Sequence, residues 1–433
     1  MPSTPAYDLT PLAGLLLVGV LLAIGPVIWV RCRESGAGPF HRMHALRLLT
    51  LWLTFDLILF GAFTRLTDSG LGCPDWPGCY GSTSPVGAST SIAAAQAAMP
   101  TGPVTQAKAW IEMLHRYLAT GVGALIVLMT LAAWRASRLE VGVAGRSAQV
   151  KEEPAGEGRR AGDTEQSALP PRPLVAATSI AATAVRPMSP WWATATLVWV
   201  CLQGAFGAWT VTWKLFPAIV TLHLAGALVL LALLCVQVVR GQPGWVAREL
   251  PTALRRALMG VAGLLAVQIL LGGWVSTNYA VLACSDFPQC QNRWWPEMNF
   301  AQGFELWRHL GVTGTGDPIS FEALTAIHYV HRLMAYVVLV ALAWLAWQLN
   351  RRPQWRQSSR VLAGLVGLQL ATGLSNVVLG WPMLAALLHT GGAAALVLAL
   401  TWIWAQAPSA ATQTAPVAVR VATNAPSGAG GTL

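Results

Sequence analysis

The chain has 433 residues, of which 55% are hydrophobic and only 11% charged, and its formal net charge is +10. An average soluble domain carries roughly 25% charged residues, so this composition excludes an ordinary soluble protein and indicates lipid as the solvent. The basic residues collect in alternate loops, so the charge reflects membrane topology and predicts no nucleic-acid partner.

Nine stretches have the apolar length of a membrane-spanning helix, which is about 20 residues. Only helices and closed barrels satisfy every backbone polar group in lipid, so each stretch predicts a helix. The first lacks the basic start and cleavage site of a signal peptide, and we interpret it as a retained helix. In chain order the stretches are 11–30, 46–63, 110–133, 191–211, 218–239, 257–275, 323–349, 361–379 and 383–406.

Arginine and lysine collect after the first, third, fifth and seventh stretches, beginning with Arg31 and Arg33 and ending with Arg356 and Arg360. Such loops face the cytoplasm. We therefore expect an inner-membrane, multi-pass protein with its N-terminus outside, in the periplasm, and its C-terminus in the cytoplasm. The cytoplasmic loop at about 141–190 and the tail at 407–433 lack a pattern that could bury a core, and we expect both to be disordered.

Three motifs occur twice in the same order. The pattern C-x-D-aromatic-P-x-C stands at 73–79 and 284–290, and a His-Arg pair stands at 115–116 and 331–332. Gln203 and Gly207 precede His223 by the distances at which Gln369 and Gly373 precede His389. The sequence thus predicts an all-α polytopic protein: two four-helix bundles, 46–240 and 241–406, after an extra helix within 1–45. Both copies start on the cytoplasmic side, so the repeat is parallel.

Four histidines occupy equivalent positions of the repeat: His115, His223, His331 and His389. Each lies about five to eight residues into an inward-running helix, a depth of about 8 to 12 Å. Ionisable groups inside a membrane are functional candidates. Two facing imidazoles suit haem in a helix bundle, whereas a small metal ion would need further ligands. The alternative is a histidine that only hydrogen-bonds a neighbouring helix.

The residues beside these histidines suggest further roles. Arg116 and Arg332 stand next to their histidines near the aqueous boundary, where they would pair with haem propionates or snorkel to the interface. Three residues before His115 stands Glu112, a candidate for proton transfer, unless it is an interfacial acid exposed to water. His328 holds the same place before His331, so either histidine could face a cofactor. We prefer His331, because its Arg332 repeats Arg116.

Two cysteine pairs lie on the outer, oxidising side of the membrane. Five residues separate Cys73 from Cys79 and Cys284 from Cys290, which permits a local disulfide in each pair. Metal capture and a redox-active dithiol are the alternatives. We predict the two disulfides.

The stretch 61–79 (GAFTRLTDSGLGCPDWPGC), the stretch 112–116 (EMLHR) and the histidines of the second half closely resemble the haem A synthase family of cytochrome oxidase assembly. The resemblance runs from residue 46 to about 406. It implies an oxidoreductase that converts the methyl group of haem O to the formyl group of haem A by successive hydroxylations and loss of water. The extra first helix and the long cytoplasmic linker depart from the usual eight-helix pattern.

The resemblance also implies a role for each half. In the first half His115, His223 and Arg116 would bind the substrate haem O, and Glu112 would be catalytic. In the second half, a permanent haem b would be held as cofactor, with the axial ligands His331 and His389 and with Arg332 at its edge. Membrane lipid, haem O synthase, other assembly factors and a second copy of the chain are the expected partners. A membrane cytochrome b for electron transfer and a haem carrier are the alternative functions.

Overall fold

The structure is a computed structural model that describes residues 8–149 and 188–407. Within these two ranges the chain forms eleven α-helices and no β-strand. In chain order they are α1 (Thr10–Arg33), α2 (Pro39–Leu66), α3 (Ser89–Ala98), α4 (Gln106–Gln149), α5 (Trp191–Thr212), α6 (Pro217–Arg240), α7 (Thr252–Thr277), α8 (Phe300–Gly303), α9 (Phe321–Asn350), α10 (Arg356–Val378) and α11 (Met383–Gln406).

All nine predicted membrane helices are present in the described part of the chain, each long and apolar enough to cross a bilayer. The chain is therefore an all-α, multi-pass membrane protein, as the sequence predicts. The two remaining helices, α3 and α8, are short and lie in the loops that carry the cysteine pairs.

Local sequence explains where these helices begin and end. The Ser320 side chain caps α9 by accepting a hydrogen bond from the backbone N–H of Ala323, which would otherwise lack a partner. Arg31 and Arg33 lie in the last turn of α1, where cations interact favourably with the helix dipole. Between such ends, large apolar side chains such as Val340, 70% exposed, point outward as lipid-facing residues do.

The repeat is visible in the order of the helices. α2, α4, α5 and α6 correspond to α7, α9, α10 and α11, because each carries the matching motif. The halves meet along a seam where α6 packs against α7 and α11, and α2 against α11. Leu231 and Leu234 of α6 and Ala394 of α11 are fully buried there. The boundary between two separate four-helix bundles stays a prediction.

The extra helix α1 packs against α4 and α2 of the first half. The approach is close: a methyl group added at Gly19 would lie 2.9 Å from the backbone of Thr120. At the other end of the same half, α4 continues to Gln149 and thus into the segment predicted as linker. Residues 150–187 of that linker and residues 408–433 of the predicted disordered tail lie outside the described residues.

The predicted orientation gives an expected labelling pattern. We expect a cysteine at Ser91→Cys, which is exposed on α3, to react with a membrane-impermeant maleimide in intact spheroplasts. A cysteine at Arg256→Cys, exposed at the start of α7, should react only after lysis. Cys32 and Cys201, the exposed free cysteines, are first replaced by serine, and Cys235 is buried and can remain. The reverse labelling pattern would contradict the orientation.

Candidate functional site

The two outer loops contain the same disulfide-closed turn. Cys73 is bonded to Cys79 and Cys284 to Cys290, so the predicted disulfides are confirmed. In the first turn the carboxylate of Asp75 accepts hydrogen bonds from the backbone N–H groups of Tyr80 (2.6 Å) and Gly81 (2.8 Å). An aspartate two residues after the first cysteine therefore fixes the turn.

Asp286 does the same in the second turn, accepting from the N–H groups of Gln291 (2.7 Å) and Asn292 (2.9 Å). Burial acts to raise the pKa of Asp286, but these backbone donors outweigh burial and hold the pKa below its ordinary value. The carboxylate is thus ionised at neutral pH, which is the form that accepts both hydrogen bonds.

Arg116 lies beneath the first turn, where its guanidinium is buried. It donates to the backbone oxygens of Asp75 (3.0 Å) and Gly78 (2.6 Å) and pairs with the carboxylate of Glu112 at 2.5 Å. The side chain does not snorkel to the interface, because its donors are used inside the protein. Arg116 therefore clamps the disulfide turn onto α4.

Arg332 makes the equivalent clamp in the second half. It donates to the backbone oxygens of Gln289 (2.9 Å) and Cys284 (2.8 Å). Its Nε–H is buried and has no acceptor among the described residues. The propionate role predicted for both arginines stays a prediction, and in Arg332 this Nε–H is a donor available for it.

Glu112 and His328, which hold equivalent places, have different surroundings. Glu112 is only 4% exposed and accepts the backbone N–H of Cys73 (2.8 Å) in addition to its pairing with Arg116, so it is not a water-exposed interfacial acid. His328 is also buried, and its Nδ1 lies 3.0 Å from the backbone oxygen of Ala280. One half thus presents a carboxylate where the other presents an imidazole already bonded to the backbone.

Each of the four candidate histidines packs against a glycine of the neighbouring helix. A methyl group added at Gly61 or Gly272 would lie 3.0 Å from the ring of His115 or His331, respectively. The corresponding distance is 3.2 Å for Gly207 with His223 and for Gly373 with His389. These gaps are narrower than ordinary van der Waals contact, so the imidazoles occupy space that only glycine leaves free. His331, and not His328, shares this arrangement, which supports the choice between them.

Polar partners orient three of the four imidazoles. The Gln203 amide nitrogen lies 3.0 Å from Nδ1 of His223 and also donates to its backbone oxygen. In the second half, the amide nitrogen of Gln268 lies 3.1 Å from Nδ1 of His331. The Thr372 hydroxyl lies 3.0 Å from Nδ1 of His389. Each contact restricts the rotation of its ring, and Nε2 of His331 also lies 3.4 Å from the Gln268 amide nitrogen. An amide nitrogen can only donate, so Nδ1 accepts in the two glutamine contacts.

His115 is the exception. No described residue forms a hydrogen bond with its ring, which instead stacks on Phe60 with centroids 6.1 Å apart and planes inclined by 18°. Leu57 of α2 stands at the position that Gln268 holds in α7, four residues before the glycine. The missing hydrogen bond therefore follows from one residue difference between the two copies.

Sequence reasoning missed Gln268, Gly272, Gly61 and Thr372. A signal for the first two was present: the spacing Q-x-x-x-G occurs at 268–272 as well as at 203–207 and 369–373. Gly61 follows from the alignment of α2 with α7. Thr372 carries no repeated signal, because Phe206 stands at its place in the first half.

The four histidines, Glu112 and His328 all line one largely apolar cavity of about 1220 Å³, which reaches through both halves. Ordinary small-molecule sites have roughly 300–1,000 Å³, so this volume suits more than one large ligand. α1 supplies part of the wall through residues such as Val20 and Ile24.

The donor set fits haem. His115 lies near enough to His223 for their charges to interact, and His331 is placed likewise with His389. Among the residues that the structure describes, no group of three or more His, Cys, Asp or Glu side chains could hold a small metal ion. Paired imidazoles in an apolar cavity with no third protein ligand suit the two axial positions of a haem iron.

Comparisons with known proteins agree with this geometry. A family model described as cytochrome oxidase assembly protein (COX15-CtaA) matches residues 44–162 and 164–401, a range that begins after α1. The chain is 32% identical to the haem A synthase of Shewanella oneidensis, over 82% of this chain and 93% of the relative. It is 26% identical to the haem A synthase of Rhizorhabdus wittichii, over 84% and 95%. The identity to that of Halalkalibacterium halodurans is 23%, over 77% and 86%.

The contact between glycine and histidine can be tested by adding one methyl group. In Gly272→Ala that group would lie 3.0 Å from the His331 ring, and overpacking costs roughly 1–3 kcal/mol. We expect a lower midpoint of thermal unfolding in detergent. Gly263→Ala on the same helix is the matched control, because its added methyl group would have no neighbour within 4 Å. Equal midpoints for the two variants would contradict the proposed packing.

Proposed function

The chain belongs to the family of cytochrome oxidase assembly proteins, and from that premise we propose that it is a haem A synthase. It would oxidise the methyl group of haem O to the formyl group of haem A within the membrane. The observation that carries the proposal is a pair of haem-sized histidine sites of which only one has a buried carboxylate beside it, Glu112. The matching activity of the relatives supports it.

The first half is the proposed substrate site. Substrate must enter and product must leave, so its ligands have to release the haem after each turnover. His115 is suited to release because its ring has no hydrogen-bonded partner among the described residues, whereas His223 is oriented by Gln203. The cavity is lined mostly by apolar side chains, which suits a hydrophobic substrate dissolved in the bilayer.

The second half is the proposed site of a resident haem b. Both His331 and His389 have a polar group near Nδ1 that restricts the rotation of the ring. The Thr372 hydroxyl can accept a hydrogen bond from Nδ1–H of His389, which would increase the basicity of Nε2 as a ligand. When bound there, haem b would supply reversible one-electron chemistry. Arg332 would contribute its unpaired Nε–H at the edge of that group.

Glu112 is the proposed proton acceptor. A buried carboxylate at the edge of a haem site can accept protons that are released as the methyl group is oxidised. The Glu112 carboxylate accepts a hydrogen bond from Nη2 of Arg116 at 2.5 Å and another from the backbone N–H of Cys73 at 2.8 Å. The disulfide turn, which Arg116 also binds, therefore fixes the position of the base. An electron-transfer cytochrome or a haem carrier would have no use for a base at one site only.

Removal of this base should stop the reaction without emptying the sites. In membranes that contain haem O, the wild-type protein should form haem A, and Glu112→Gln should form it roughly 10² to 10⁴-fold more slowly. Extracted haems are separated by chromatography. Glu297→Gln, which removes an exposed outer-loop carboxylate, should keep the wild-type rate. No haem A from the wild-type protein would refute the function, and wild-type rates in Glu112→Gln would refute only the role of Glu112.

The assignment of the halves predicts different spectra for the histidine variants. Purified wild-type protein should show a low-spin, bis-histidine haem. His331→Ala and His389→Ala should lose it, because each removes an axial ligand of the resident haem. His223→Ala should keep the spectrum of that haem while losing synthase activity. An unchanged spectrum in both second-half variants, or loss of the resident haem in His223→Ala, would contradict the assignment.

A further inference from the structure

A second cluster of polar residues lies away from the four candidate ligand histidines, at the end of the seam that the topology places in the cytoplasm. Here α2 and α7 begin and α6 and α11 end. The site is formed by His44 and Arg47 of α2, Arg240 of α6 and Arg255 of α7, which we call the seam basic cluster. These residues come from both halves of the molecule.

Contacts bring the members of the cluster together. The Arg47 guanidinium packs against Gly241, the residue that follows Arg240. The guanidinium carbon of Arg240 lies 4.7 Å from the ring centroid of Trp404, and that of Arg255 lies 5.8 Å from the same ring. Arg240 and Arg255 are near enough for their charges to interact, as are His44 and Arg47.

The cluster has more donors than the described protein can satisfy. Arg47 is only 7% exposed. Three buried guanidinium nitrogens, Arg47 Nε, Arg240 Nε and Arg255 Nη1, have no acceptor within hydrogen-bond distance among the described residues. Trp245 Nε1 in the loop after α6 has none either, and His44 Nδ1 has no hydrogen-bond partner among those residues. The ion pairs found among those residues all lie elsewhere, in α4 and around the outer loops.

Such a cluster is costly unless an anion joins it. Buried donors in proteins are nearly always hydrogen-bonded, and a buried charge without a partner destabilises the fold. Cations that face one another add repulsion. A water molecule could accept hydrogen bonds but would bring no negative charge. A phosphate group supplies both the charge and several acceptor oxygens.

We propose that the seam basic cluster binds the phosphate of an anionic phospholipid headgroup from the cytoplasmic leaflet. Basic pockets between helices on this side of the membrane suit such headgroups. Trp192 and Trp404 flank Arg240, and tryptophan is the residue type that lies at headgroup depth. Because the cluster joins α2 and α6 to α7, the bound lipid links the two halves. The proposal is independent of haem chemistry.

Lipid titration of the full chain tests it. Purified protein in neutral detergent is mixed with phosphatidylglycerol, phosphatidylcholine or inorganic phosphate, and bound lipids are counted by native mass spectrometry alongside thermal unfolding. We expect phosphatidylglycerol to bind and raise the unfolding midpoint, and phosphatidylcholine to do neither. An equal shift from millimolar phosphate alone would overturn the lipid assignment. No shift with phosphatidylglycerol would overturn the site.

Substitutions separate this site from general charge effects. Arg47→Gln and Arg255→Gln should each weaken phosphatidylglycerol binding roughly tenfold, the effect of one lost charge-assisted hydrogen bond. Arg256→Gln, an equal change of charge on the exposed side of α7, should bind as the wild type does. Without lipid, Arg47→Gln should unfold no earlier than wild type, because it removes an uncompensated charge. If Arg47→Gln lowered the unfolding midpoint equally with and without lipid, Arg47 would have only a structural role and the proposal would be overturned.

Discussion

Four close approaches between a glycine and an imidazole determine the arrangement of this molecule. Gly61, Gly207, Gly272 and Gly373 each leave the space into which the histidine of the next helix fits. Without a side chain at these positions two helices can come together while one histidine still fits between them. Such packing of small residues allows close helix contact in a membrane, where burial of apolar surface gives no advantage over lipid. The depth and direction of all four candidate ligands depend on it.

Duplication builds two sites on this plan, and a few residue differences give them different properties. Leu57 replaces Gln268, and the ring of His115 loses the partner that His331 has. Glu112 replaces His328 and is held by Arg116 and by the disulfide turn. The half with the proposed proton acceptor is therefore also the half whose candidate ligand is less constrained. A site that processes and releases its haem needs both properties, and a site that keeps its haem needs neither.

Much of this was predictable from the sequence. The nine helices follow from apolar length, and the disulfides follow from cysteine spacing in an outer loop. The functions of Arg116 and Arg332 were harder to predict, because a side chain next to a histidine can turn toward cofactor, water or a loop. Both arginines donate to backbone oxygens of the disulfide turns, and backbone conformation is not visible in a motif. Thr372 was missed for a related reason: it has no counterpart in the first half.

The central claim is that the first half exchanges its haem and the second half retains it. Exchange kinetics test this most directly: protein loaded with isotopically labelled haem is mixed with an excess of unlabelled haem, and the label that remains bound is followed with time. Variants lacking His115 and His223, or His331 and His389, assign each phase to a half. We expect a fast phase from the His115–His223 site and a slow phase from the His331–His389 site. A single common rate, or faster loss from the second site, would contradict it.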